Sequence, residues 1–179
     1  MSDRLPTKKE ALTLLRKTGC STNVIKHSET VTKLAVEIAQ ACQKRGLDVN
    51  TQLVEIGATL HDIGRSETHT VNHGIAGARI AKSLGIPKPI IQIIKRHIGG
   101  GITSREARKL GWPEDVYIPQ TIEEKIVCYA DKRVEGAHRV PVEETIRKLG
   151  GRIPTSSITR IRALHEEMIA LTGDCECLQ

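Results

Sequence analysis

The 179-residue sequence predicts an all-α fold. Apolar residues recur at helical spacing along most of the chain. Ser, Thr and Asn stand where caps belong before these runs, and glycines close them. No period-two pattern of the kind a half-buried strand needs stands out. The expectation is one compact bundle of about eight to nine helices. No repeat, low-complexity tract or long linker interrupts it.

From the N-terminus, Thr7-x-x-Glu10 is a capping-box pattern that opens a first helix, and Gly19 offers its stop. Asn23 is placed to cap a long second helix ending before Gly46, with Val24, Val31, Leu34, Ala35, Ile38 and Cys42 on one face. A third helix runs from Thr51 to Asp62 and stops near Gly64. Asn72 is placed to cap a fourth that ends at Leu84-Gly85. Pro87-Lys88-Pro89 starts a fifth, which carries Ile90, Ile93, Ile94 and His97 and is broken by Gly99-Gly100-Gly101. Thr103-x-x-Glu106 starts a short helix ending at Gly111. Thr121-x-x-Glu124 starts another, which carries Val127, Cys128, Asp131 and Val134. Residues 141–149 and 157–171 supply the last two, and 153–156 is the one plausible joint.

Composition narrows the function. There is no Phe, one Trp and two Tyr, so Ile, Leu, Val and Ala must fill the core. Aromatic stacking on exposed bases is nearly unavailable. The net charge of +6, concentrated in the second half, suits polyanions such as nucleotides or RNA, or else a solvated basic surface. Among five cysteines, Cys20, Cys42 and Cys128 read as small core residues. Cys175 and Cys177 lie in a tail able to take a stray metal, which reads as a disordered end. No four-cysteine zinc spacing or disulfide framework is present. No apolar signal region opens the chain and no run is long enough to span a membrane, so a cytoplasmic setting is expected.

His61-Asp62 carries most of the functional information. The dipeptide alone is weak; the placement of other residues adds the weight. His27 lies on the stripe between Val24 and Val31, where a polar ring needs a partner. His97 follows Ile93 by four residues, and Asp131 follows Val127 by four, so both face inward. A buried carboxylate is usually paired or on a metal. His73 opens a helix rich in small residues (Gly74, Ala76, Gly77, Ala78, Ala81), which lets helices approach closely. His138 and His165 read as bystanders, as does His69, although His69 is near enough to the doublet to reach a substrate.

Imidazoles and carboxylates suit nitrogen- and oxygen-seeking divalent metals. Neighbouring helical residues diverge by about 100°, so His61 and Asp62 cannot chelate as an i, i+4 pair would. At a helix end, however, both can reach one centre or two. Six protein ligands exceed what one catalytic zinc takes, which favours two metals with Asp62 bridging. Such a site supports phosphoester hydrolysis by metal-activated hydroxide.

His27, His61-Asp62-Ile63-Gly64-Arg65, His73-Gly74-x-x-Gly77-Ala78, His97 and Asp131 resemble the HD-domain metal-dependent phosphohydrolase superfamily over residues 20–140. The resemblance implies an HD-domain helical bundle, with residues 141–179 as a C-terminal helical cap or a homodimer face. It implies one metal on His27, His61, Asp62 and Asp131 and a second on Asp62, His73 and His97. Fe, Mn, Zn, Ni or Co would each suit such ligands. It points to the small stand-alone branch that includes symmetric diadenosine tetraphosphate hydrolases and archaeal HD proteins. Arg65 stands where many relatives have a cation able to stabilise a phosphate, unless it is simply solvated or ion-paired. Lys132 and Arg133 are weaker candidates for the same work.

Some features depart from the branches. No Gly-Tyr-Pro segment follows His97, which argues against the cyclic-di-GMP-degrading branch. Gly99-Gly100-Gly101 replaces a different short loop and reads either as an amide cradle for phosphate or as a helix stop. The function expected is hydrolysis of a phosphate ester or phosphoanhydride of a nucleotide or other small molecule. The competing readings are a non-catalytic, metal-stapled nucleotide- or RNA-binding sensor and a di-iron oxygenase on the same ligands.

Overall fold

The structure is a computed structural model that describes residues 4–173 and Cys175. Nine α-helices run through the described residues: α1 (Lys8–Lys17), α2 (Thr22–Lys44), α3 (Thr51–Leu60), α4 (His73–Ser83), α5 (Lys88–Arg96), α6 (Ser104–Lys109), α7 (Ile122–Lys132), α8 (Val142–Leu149) and α9 (Thr155–Thr172). A 3₁₀ turn, Ile63–Ser66, links α3 to α4. The fold is all-α apart from a hairpin of two-residue strands, β1 (Val134–Glu135) and β2 (His138–Arg139). These strands are too short to print an alternating pattern on the sequence. Gly136, at φ 57°, makes their turn.

Local chemistry explains most boundaries. Capping boxes at Thr7/Glu10, Thr103/Glu106 and Thr121/Glu124 start α1, α6 and α7. Two caps differ from the sequence expectation. Ser21, not Asn23, caps α2, its hydroxyl accepting from Val24 N at 3.3 Å. Asn72 precedes α4 as expected, but its side chain does not cap; Oδ1 accepts the Trp112 indole N–H at 2.7 Å instead. Pro154 precedes α9, which therefore starts two residues earlier than expected.

The core has two main parts that meet at α3. In one, Leu34 and Ile38 of α2 pack with Ile126 and Tyr129 of α7 and with Ile161 and Met168 of α9. In the other, Leu15, Ile56, Leu60, Ile80, Ile90 and Ile94 join α1, α3, α4 and α5. Each such side chain contributes roughly 1.5–3 kcal/mol by leaving water. A small satellite gathers Trp112 and Tyr117 on Ile98 and Ile102.

Two glycines mark close approaches of backbone to backbone. A Cβ on Gly64 would stand 1.9 Å from His73 O and 2.5 Å from Gly77 N. The 3₁₀ turn after His61-Asp62 therefore lies directly on the first turns of α4. A Cβ on Gly100 would stand 2.8 Å from Ile161 N, so the triple glycine is where α9 docks. Arg160 completes that junction, its Nε donating to Gly101 O at 3.1 Å. The central glycine thus serves helix packing rather than an amide cradle. Among the described residues, no helix is long and apolar enough to cross a membrane.

Candidate metal centre

Four helix ends and one helix interior deliver the polar cluster. His61 and His97 are the C-caps of α3 and α5, Asp62 follows His61, His73 is the first residue of α4, Asp131 lies one residue from the end of α7, and His27 projects from α2. Helix C-termini carry carbonyls without an intrahelical partner. His61 Nδ1 donates to Ala58 O and His97 Nδ1 to Ile94 O, each at 2.7 Å and three residues back. His73 Nδ1 donates to Thr70 O at 2.7 Å, and His27 Nδ1 to Gly136 O at 2.9 Å. With Nδ1 on a carbonyl, each neutral ring carries its lone pair on Nε2, the tautomer that metal-bound histidines commonly take.

The four Nε2 atoms point at two carboxylates. His73 Nε2 lies 3.2 Å and His97 Nε2 3.5 Å from Asp62 Oδ1, and the two Nε2 atoms are 3.0 Å apart. On the other side, His27 Nε2 lies 3.0 Å and His61 Nε2 3.5 Å from Asp131 Oδ1. Asp62 Oδ2 faces that second group, 3.7 Å from His61 Nε2 and 3.9 Å from His27 Nε2. Asp62 thus offers one oxygen to each group.

The cluster fits divalent cations. His61 Nε2 and Asp62 Oδ1 are buried without a hydrogen-bond partner, a state that burial makes costly. Separations of 3.0–3.5 Å among Nε2 and carboxylate oxygens are what neighbouring ligands show at bond lengths of about 2.0–2.2 Å. Two sets of this kind, His27/His61/Asp131 and His61/Asp62/His97, bring their donor atoms within 4.8 Å of one another.

Electrostatics agree. Burial favours protonation of Asp62, but His61, His73 and His97 outweigh it and hold the carboxyl well below its usual range. Asp131 behaves alike: burial opposes its charge, and Lys132, His27 and His61 prevail. Burial pushes His97 down to about 4, with Asp62 opposing and the neighbouring imidazoles reinforcing. For His61, Asp62 and Asp131 overcome burial and raise the pKa.

All six residues marked in the sequence converge here. The three cations separate. Arg65 Nε donates to Asp62 Oδ2 at 2.6 Å, so it is ion-paired rather than solvated. Lys132 Nζ contacts Asp131 Oδ2. Arg133 turns away, with Nε on Val140 O at 2.8 Å and Nη1 on the Tyr129 hydroxyl at 3.0 Å. This removes Arg133 as a phosphate candidate. His165 accepts or donates at the Tyr129 hydroxyl at 2.7 Å, and His138 lies exposed on β2, so both stand apart. Cys20, Cys42 and Cys128 are buried free thiols; of the tail pair, Cys177 lies outside the described residues.

A cavity of about 590 Å³ opens beside the cluster and includes His73, His97, Asp131, Lys132, Arg65 and His69 in its walls. Its wall also takes in Lys109 and the α8–α9 turn with Arg152 and Ile153. The sequence marks the basic runs that hold Lys109 and Arg152, but their meeting at one cavity comes only through packing. A separate cleft of about 450 Å³ between α1 and residues 85–87 shares no residue with the cluster.

An all-helical fold with histidine and aspartate side chains gathered at helix ends defines a protein with groups able to hold a divalent metal. The chain belongs to the HD domain family, whose profile matches residues 24–136. It is 44% identical over 161 residues, 89% of this chain and 95% of the relative, to the uncharacterized protein MJ0778 of Methanocaldococcus jannaschii. It is 39% and 38% identical to the tRNA (cytidine(56)-2'-O)-methyltransferases of Picrophilus torridus and Thermoplasma volcanium. Those matches take in 94% of this chain, which spans about half (48%) of each enzyme. In fold it is similar to the HD domain of the Listeria monocytogenes phosphodiesterase PgpH in complex with cyclic-di-AMP. The TM-score is 0.55 at 21% identity, covering 90% of this chain and 94% of that one.

Proposed function

We propose that this chain is a metal-dependent phosphohydrolase acting on a phosphate ester or phosphoanhydride of a nucleotide or other small molecule. The observation that carries the reading is Asp62, whose two buried oxygens face two separate groups of inward-pointing Nε2 atoms. Residues 20–140 form the HD core in this reading, and the helices after 140 its cap. His27, His61, Asp62 and Asp131 would hold one metal, and Asp62, His73 and His97 a second. Fe, Mn, Zn, Ni and Co all suit these donors. Bound there, divalent metals lower the pKa of water and neutralise charge on phosphoryl oxygens.

The chain's own groups do the rest. Nδ1–carbonyl bonds to residues 58, 70, 94 and 136 lock each imidazole in orientation. Arg65 steadies Asp62 through Nε, and as a wall of the cavity it sets guanidinium charge beside an entering phosphate. Lys132 does the same beside Asp131. The phosphodiesterase neighbour supports the reaction class.

A second reading keeps the metal set but makes the module a non-catalytic nucleotide or RNA sensor. The two tRNA methyltransferase relatives favour RNA as a ligand. The test is metal analysis of protein purified without added metal, paired with a screen of nucleotides, model phosphodiesters and phosphate-ended oligoribonucleotides against each metal. Hydrolysis that Asp62→Ala abolishes together with metal binding supports the enzyme. Full activity in that variant overturns it, and silence on every substrate with tight RNA binding favours the sensor.

A further inference from the structure

The cavity is lined by more than the cluster and the cations beside it. With His73, His97, Asp131 and Lys132 it shares Lys109, at the end of α6, and Arg152, in the α8–α9 turn. Both are exposed, and neither has an acidic partner among the described residues. Glu106 also lines the cavity, but its charge is spent. Arg160 Nη2 reaches its two oxygens at 3.0 and 2.8 Å, and Thr103 N donates to it at 2.8 Å. Lys109 and Arg152 therefore bring two uncancelled positive charges to the cavity.

Ile98, Ile102, Leu149 and Ile153 give the cavity apolar walls. Two of the polar side chains that line it are already in use. Ser157 Oγ accepts from Arg160 at 2.9 Å, and Thr70 Oγ1 meets Thr68 Oγ1 at 3.0 Å and accepts from Asn72 N at 3.3 Å. The volume of about 590 Å³ exceeds what one phosphate head fills. Arg152 lies beyond the residues 24–136 that match the family, whereas Lys109 lies within them.

We propose that the cavity selects a phosphorylated substrate bearing a second anionic group, held by Lys109 and Arg152, with the intervening group seated on the apolar residues of the same cavity. The proposal deepens the phosphohydrolase reading and rests on it for the placement of the first phosphate. Two sources share this chemistry: a free nucleoside bisphosphate, and the terminal nucleotide of an RNA whose backbone supplies the second charge.

The test is equilibrium binding to the protein as purified with its metal, so it does not require turnover. Adenosine 3',5'-bisphosphate should bind about tenfold more tightly than adenosine 5'-monophosphate. In the double variant Lys109→Ala/Arg152→Ala the ratio of the two affinities should fall to near one. Both residues are exposed, and an unchanged melting temperature checks the fold. A 3'-phosphorylated oligoribonucleotide that outcompetes the bisphosphate, and loses that advantage in the double variant, supports the site and identifies RNA as the source. Equal binding of mono- and bisphosphate, or a ratio that survives the double variant, overturns the proposal. If no phosphate compound is hydrolysed but the ratio behaves as stated, the enzyme reading fails while the two-anion site stands.

Discussion

His73 Nε2 lies 3.0 Å from His97 Nε2, while each ring donates its Nδ1 proton to a backbone carbonyl at 2.7 Å. Two lone pairs at that distance, with Asp62 Oδ1 at 3.2 and 3.5 Å, repel unless a cation lies among them. The folded chain stores an electrostatic cost there that a bound metal relieves.

That cost makes stability depend on metal. Chelation should lower the melting temperature, and each suitable divalent metal should restore it, by about 2.7 kcal/mol at a hundredfold excess over Kd. Differential scanning fluorimetry checks this. A melting temperature indifferent to both chelator and metals would contradict the metal reading.

Asp62 and His73 should behave differently. Asp62→Ala removes the oxygens facing both groups, so metal content and hydrolysis should both be lost. His73→Ala removes a donor from one group only, and metal content should drop from about two per chain to about one. Elemental analysis of the purified variants distinguishes these outcomes; equal loss in both would contradict a shared carboxylate.

Glu106 predicts a pH dependence. Burial raises its pKa, but the Thr103 backbone N–H, Arg160 and the Thr103 hydroxyl outweigh that and lower it to about 2 from 4.5. A carboxyl depressed in the folded state adds stability above its unfolded pKa, and that stability is lost as pH falls from about 4.5 toward 2. Glu106→Gln should cost about 1–3 kcal/mol at pH 7. The gap between variant and parent should close across that acid window in urea titrations, whereas a gap constant with pH would rule out the ion pair as its cause.

Gly64 should tolerate no side chain. The added Cβ of Gly64→Ala meets backbone on two sides, at 1.9 and 2.5 Å, where nothing flexible can yield. A loss of about 3 kcal/mol or more is expected, with weaker metal retention because the same contact seats His73 beside Asp62. Denaturant unfolding and metal analysis read both effects. Gly57→Ala is the milder control, since its Cβ meets the Ile93 side chain, nearest at 2.4 Å, rather than backbone.

Much of the fold and the cluster was legible from local pattern. The capping boxes at Thr7, Thr103 and Thr121 are satisfied as their spacing implies. His27, His97 and Asp131 were recognisable because each repeats the phase of nearby apolar residues. The roles of Ser21 and Asn72 were less legible, since several polar residues compete for one cap and a distant Trp112 claimed the Asn72 amide. Arg133 and Lys132 are adjacent in sequence and equally basic, yet only Lys132 faces the cavity.

The sequence by itself determined that the chain is helical, which faces turn inward, and which six polar residues ride on them. Helical phase is a local property, repeating every 3.6 residues or so, and it survives in the order of residues. Only the tertiary structure decided that Asp62 divides its oxygens between two histidine groups, that Arg65 is held by Asp62, that Gly100 is a docking point for α9, and that Lys109 and Arg152 close one cavity. These relationships join residues as far apart as His27 and Asp131, 104 positions along the chain. Their geometry comes from how close-packed helices settle against one another, a property of the whole core that no local stretch of sequence records.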